Sequence, residues 1–216
     1  HLEAYSMHAP FADHIDITAL DSAEREQAAE ELMRATEAAH LLGVRYLVLH
    51  PGPERSDLPS EERLQRMQNA VIVLNQVAGR CQELGIELIL ENMLPHLFSG
   101  NVCDLLWLLG AMNTSRVGVC LDTGHAFLSG DFDNVVQKLS RHLWMIHASD
   151  NNGSWDDHLP PGQGKVPWMS FCRRLDQIGF RGAVILELSG NSVSPSDLHE
   201  AQVARLFLRK LSRGSR

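Results

Sequence analysis

No run in this chain approaches the roughly 20 consecutive apolar residues of a membrane helix, so no helical span is expected. Positive charge is also scarce. Against 27 Asp and Glu stand 19 Lys and Arg, a formal charge of −8. The chain as a whole therefore lacks the basic footprint that wraps nucleic acid, which weighs against such a partner while leaving room for local basic loops around an acidic site. The four cysteines, Cys81, Cys103, Cys120 and Cys172, sit singly in helical or strand patterns with no C-x-x-C pair. That excludes a disulfide framework and reads as small core residues in a reducing compartment. No charged, apolar and small-residue leader pattern opens the sequence, and the expected location is the cytoplasm. Nor is there a glycine-rich phosphate loop of the P-loop or dinucleotide type. What remains is 216 residues, 44% hydrophobic and 21% charged, an ordinary globular composition able to bury one full core.

Five apolar runs each end on one metal-binding residue: Leu47-Val48-Leu49-His50, Leu88-Ile89-Leu90-Glu91, Val119-Cys120-Leu121-Asp122, Trp144-Met145-Ile146-His147 and Val184-Ile185-Leu186-Glu187. A single His or Glu at a strand end is usually a cap or a surface residue. Five in succession point to strand ends that converge on a shared site. In parallel α/β proteins all carboxyl ends open onto one face, and that face carries the ligands. His, Asp and Glu are donors that divalent zinc, manganese or cobalt accept, so a metal centre is expected.

Between these runs the chain repeats helix, glycine and strand. Gly43, Gly85 and Gly179 each stand where a helix must stop in the left-handed conformation before a strand begins. From Ser22 to Leu41, Ala28, Leu32, Ala35 and Ala39 recur at helical spacing, with Asp21 and Glu24 suited to the first turn. Further helices are predicted over 60–84, 101–112, 131–141, 167–178 and 195–212, and a first strand around Leu2 to Met7. Six strands and six helices in strict alternation imply a parallel sheet. An open sheet gathers ligands at one switch point, whereas a barrel brings every strand end to one mouth, and contributions from so many strands favour the barrel.

Seven motifs stand in order: Ser6-Met7-His8-Ala9-Pro10, Leu49-His50-Pro51-Gly52, Leu90-Glu91-Asn92, Leu121-Asp122-Thr123-Gly124-His125-Ala126, Ile146-His147-Ala148-Ser149-Asp150, Asp156-Asp157-His158-Leu159-Pro160-Pro161-Gly162-Gln163-Gly164 and Leu186-Glu187-Leu188. Together they resemble the xylose isomerase-like TIM-barrel superfamily, which holds sugar-phosphate isomerases and epimerases together with the family 2 apurinic/apyrimidinic endonucleases of the endonuclease IV type. The resemblance covers nearly the whole chain and implies a single (β/α)8 TIM-barrel domain over residues 1–216. Its motifs follow strands three to eight of that family, so the first two βα units have no counterpart here. A barrel with an open edge must close differently, associate into a homo-oligomer, or be a fragment of a longer product, and the fragment is the expectation.

By resemblance, Glu91, Asp122, His147 and Glu187 form the principal metal site. In the endonuclease pattern His8 and His50, sharing Glu91, hold a second ion, and His125, Asp156 and His158 hold a third. In the isomerase and epimerase branch only the four-residue site is expected. A metal chelated by a sugar's carbonyl and hydroxyl would then stabilise an enediolate, while Glu91 and Glu187 act as the catalytic acid/base pair. His8, His50, His125 and His158 would instead line the mouth and bind substrate hydroxyls, and Trp155, in the loop after the His147 run, would cover the sugar. Asp156 and Asp157 are adjacent, and alignment to the following glycines prefers Asp156. His14, His40, His96, His142 and His199 read as surface or core residues, and Trp107, Trp144 and Trp168 as packing.

Two departures stand out. Ketose 3-epimerases of the superfamily usually carry an arginine six residues after the principal histidine, where this chain has Gly153. The endonucleases carry a tyrosine three residues after the first histidine, where it has Phe11. With its acidic balance, its single domain and the Asp-x-His-Leu-Pro-Pro-Gly motif, the chain most resembles the metal-dependent sugar or sugar-phosphate isomerases and epimerases. A zinc-dependent endonuclease is the alternative, and a non-catalytic metal-binding barrel fragment the third reading.

Overall fold

Six strands alternate with helices along the chain, and every strand pairing described is parallel. The structure is a computed structural model that describes residues 2–189 and 195–214. Its strands are β1 (Ser6–His8), β2 (Tyr46–Leu49), β3 (Glu87–Glu91), β4 (Val117–Asp122), β5 (Leu143–Ala148) and β6 (Ala183–Leu186), and their order in the sheet follows the chain. The helices are α1 (Ser22–Leu42), α2 (Arg63–Leu84), α3 (Val102–Ala111), α4 (Thr123–Leu128), α5 (Phe132–Leu139), α6 (Trp168–Gln177) and α7 (Pro195–Gly214). The chain divides inside β4 into two units, one running to Val119 and one starting at Cys120.

In the first unit, β2 and β3 are near-continuous apolar runs, as strands covered on both faces must be. Leu47, Val48, Leu49, Leu88, Ile89 and Leu90 are all buried, and Leu49 stands opposite Leu90 in the register. α1 turns Ala28, Leu32, Ala35 and Ala39 inward and packs on α2, which in turn lies on β3. α1 begins at Asp21, whose carboxylate accepts from the Ala23 and Glu24 amides, and ends at Gly43 with φ 69°. Gly85 closes α2 in the same left-handed conformation with φ 74°.

The second unit pairs β5 with β6, setting His147 opposite Ile185, and packs α6 against α7 and α4 against α5. Gly179, at φ 67°, ends the α6 segment. β6 is thinly covered: Val184 is exposed, and it shares with Trp168, Phe171 and Leu208 an apolar hollow of about 250 Å³.

Strict alternation needs a correction. α4 follows β4 without a loop and precedes α5, so among the described residues two helices stand where one was predicted. The cause is local: Asp122 ends the strand and accepts from the His125 amide at 2.7 Å, capping a new helix at once. The first strand is also shorter and later than predicted, at Ser6–His8. Trp168 is buried as predicted, but Trp107 is partly exposed on α3. No described helix is long and apolar enough to cross a membrane.

Candidate metal centres

The first unit brings three predicted residues together at the carboxyl ends of its strands. His8 ends β1, His50 follows β2 and Glu91 ends β3, and one donor atom of each lies within 4.8 Å of the others. Both imidazole Nε2 atoms face the same buried Glu91 oxygen, Oε2, at 3.0 Å from His8 and 3.7 Å from His50. His8 Nδ1 lies 2.7 Å from the Ala9 carbonyl, a bond that requires the ring proton on Nδ1 and turns the Nε2 lone pair toward the cluster when the ring is neutral. Phe11, half exposed, lies beside both rings, with centroids 5.3 Å from His8 and 5.0 Å from His50.

The second unit holds a cluster of the same type. His125, in the first turn of α4, and His158, in the loop after β5, point their Nε2 atoms at Asp156 Oδ2 from 3.2 and 2.8 Å. Asp156 Oδ1 is buried without a hydrogen-bond partner among the described residues. Asp157 turns elsewhere and accepts from the Asn152 amide, so Asp156 is the member of the adjacent pair that meets the histidines. Burial works against the Asp156 charge. The hydrogen bonds from His125 and His158, with their charge, outweigh it and hold the carboxyl well below the usual carboxylate range. The hydrogen bond to Asp156, opposed by burial, raises the His158 imidazole above its ordinary value, and the Asp156, Glu187 and Asp122 charges add to the rise.

The same unit carries Asp122, His147 and Glu187. His147 Nδ1 lies 2.9 Å from Glu187 Oε2, and carboxylate oxygens of Asp122 and Glu187 lie within 4.8 Å of each other. Two carboxylates at that distance repel unless a cation or proton intervenes. A tetrahedral zinc with bonds of ~2.0–2.1 Å spaces its ligand atoms roughly 3.3 Å apart, and the separations of 2.8 to 3.7 Å in these groups straddle that spacing. The donor sets suit a divalent ion, with imidazole nitrogen and carboxylate oxygen and no thiolate required.

Thr123 and Asp150, which the sequence places in the motifs without a role, brace these groups. Thr123 Oγ1 lies 2.7 Å from the Ser149 carbonyl and accepts from the Ser149 amide, tying the end of β4 to the end of β5. Asp150 is fully buried and bonded throughout. The signal available was the unbroken polar run Ser149-Asp150-Asn151 directly after a buried strand. Trp155 stands 77% exposed in the loop that carries Asp156 and His158.

A sequence profile described as xylose isomerase-like TIM barrel matches residues 1–211. The chain belongs to the xylose isomerase-like TIM barrel family. An uncharacterized protein of Methanocaldococcus jannaschii is 30% identical to this family member over 190 residues, 84% of this chain and 63% of that protein. A probable endonuclease 4 of Mycoplasma genitalium is 25% identical over 217 residues, 93% of this chain and 72% of that protein. The crystal structure of a D-tagatose 3-epimerase-like protein superposes with a TM-score of 0.85 and 25% identity, covering 98% of this chain and 78% of that one. The chain thus spans less than two thirds of the length of the first of these relatives.

Proposed function

We propose that this chain carries the active site of a divalent-metal-dependent enzyme that isomerises or epimerises a sugar or sugar phosphate. The likeness to a D-tagatose 3-epimerase-like protein along 98% of the chain carries the reading. Asp122, His147 and Glu187, at or next to the ends of β4, β5 and β6, are assigned to the metal, with Glu91 as the fourth ligand on the strength of the family's motif order. Zinc, manganese or cobalt, when bound there, supplies the positive charge that acidifies the carbon next to a sugar carbonyl.

Proton transfer is the chain's own work. Glu187, oriented by the His147 ring and 37% exposed in its side chain, is open to substrate and removes or returns the carbon-bound proton. Glu91, buried at the end of β3, is assigned the complementary transfer. His8, His50, His125 and His158 position hydroxyls, and Trp155 folds over the sugar and excludes water. Exchange of a sugar C–H with deuterium from D2O, followed by NMR over a panel of ketoses and their phosphates, tests this directly. A soluble, zinc- or manganese-loaded chain that exchanges no C–H of any member counts against it.

A second reading has its own observation. His8 and His50 with the shared Glu91, and likewise His125, Asp156 and His158, form three-donor groups, and five of these residues lie beyond the four a sugar enzyme needs. A relative named probable endonuclease 4 covers 93% of the chain. Elemental analysis after zinc refilling separates the two: close to three ions per chain favours phosphodiester cleavage at abasic sites, and one ion favours the sugar enzyme.

A further inference from the structure

The loop that delivers Asp156 and His158 has no regular structure of its own, yet His158 adopts φ 47°, a left-handed conformation that a side chain with a Cβ rarely takes. Such a residue persists only where its surroundings over-determine it. Those surroundings centre on one residue. Asp150 Oδ1 accepts from the Asn151 amide at 2.9 Å and the Val166 amide at 3.0 Å. Its Oδ2 accepts from the Gly162 amide at 2.9 Å and from Trp168 Nε1 at 2.7 Å. The Asp150 backbone exchanges both N–H···O bonds with Leu159, each 2.8 Å, directly beside His158. A fully buried carboxylate thus gathers four N–H donors, three of them from the chain that follows His158. A Cβ at Gly164 would run into the Asp150 carboxylate and the Asn151 carbonyl, so the loop is drawn down onto this anion as closely as backbone allows.

We propose that Asp150 is a positioning residue for the His125–Asp156–His158 group, its carboxylate clamping the 158–168 segment so that the His158 imidazole is held in a strained backbone conformation facing Asp156. The inference rests on the second reading above, in which that group holds a metal ion of its own. Replacing Asp150 with Asn leaves the shape but turns one oxygen into an NH2 group, so the two hydrogen bonds that oxygen accepted are lost and two N–H donors are left facing the amide NH2.

The test is stepwise zinc titration against a competing chelator, on the full chain, for wild type, His125→Ala, Asp150→Asn and Trp168→Phe. His125→Ala marks the binding step that belongs to this group. Asp150→Asn is expected to weaken that step by about 10–100-fold, the usual cost of losing an outer partner of a ligand, and to leave the other steps unchanged. Trp168→Phe, which removes one donor of four, is expected to weaken the same step by less. Wild-type affinity in every step of Asp150→Asn, or equal weakening of all steps, overturns the inference. If Asp150→Asn does not fold, Trp168→Phe decides alone, and an unchanged marked step then overturns the proposal. A titration in which His125→Ala removes no step overturns the metal reading of the group and the inference with it.

Discussion

Two groups of the same chemistry, two imidazoles around one carboxylate oxygen, are built in different ways in the two units. In the first, His8, His50 and Glu91 sit at the ends of three adjacent parallel strands, and the sheet itself sets their spacing. In the second, one residue of the group comes from a helix turn and two from an irregular loop, and that loop carries a buried aspartate and a histidine in the left-handed conformation. Sheet-built sites inherit the rigidity of the core, while loop-built sites need a separate hydrogen-bonded clamp. This contrast predicts which substitutions damage fold and site together and which uncouple them.

The largest effect is expected at Glu187. Glu187→Gln should lower turnover by about 10²–10⁴-fold with an unchanged melting midpoint, because the change is isosteric at a side chain that is partly exposed. Unchanged turnover removes Glu187 from the mechanism. In the sheet-built unit, Leu90→Ala should cost about 2–5 kcal/mol, the usual penalty for truncating a buried leucine, and release the His8–His50–Glu91 group along with stability. Two buried thiols report which unit opens. Burial pushes the Cys81 thiol up to about 12 and the Cys172 thiol up to about 11, so both resist alkylation at neutral pH in the folded chain. Leu90→Ala should speed alkylation of Cys81 more than that of Cys172, and equal acceleration would mean that the two units open as one.

The loop-built group should behave oppositely. Gly164→Ala should weaken zinc binding at His125, Asp156 and His158 roughly tenfold while Cys81 stays protected. The smallest effect is a pH dependence in metal-stripped protein. His158 is raised above its ordinary 6.5, so its contribution is complete below that value and fades as pH climbs through the raised one. Asp156 is lowered from 3.8, so its contribution is complete above 3.8 and fades as pH falls through the lowered value. Stability from the pair should therefore be greatest between these two ordinary values, and His158→Gln should flatten the alkaline decline in thermal melts.

Legibility in the sequence follows the same division. His50, Glu91, Asp122, His147 and Glu187 stood out because a buried parallel strand is a continuous apolar run, and a polar residue at its end breaks the pattern at one definable place. α1 with its Asp21 cap, and the Gly43, Gly85 and Gly179 stops, were readable for an equally local reason, since cap chemistry and left-handed φ involve only a few neighbouring residues. α4 was not, because Asp122 was read as a strand end and its second use as a helix cap leaves no separate mark.

The sequence by itself determined the six strands and their parallel class, the family, and the residues that end the strands, because periodicity and chain punctuation act over short separations. Alignment of the motif already preferred Asp156 over Asp157; only the tertiary structure decided how Asp156 meets His125 and His158, that His158 turns left-handed, and that Asp150 holds the loop through Gly162, Val166 and Trp168. The bonds of Asp150 to that loop and the His125–Asp156 pair join residues 12 to 31 positions apart and leave no periodic trace, so they exist only once the chain has folded around them.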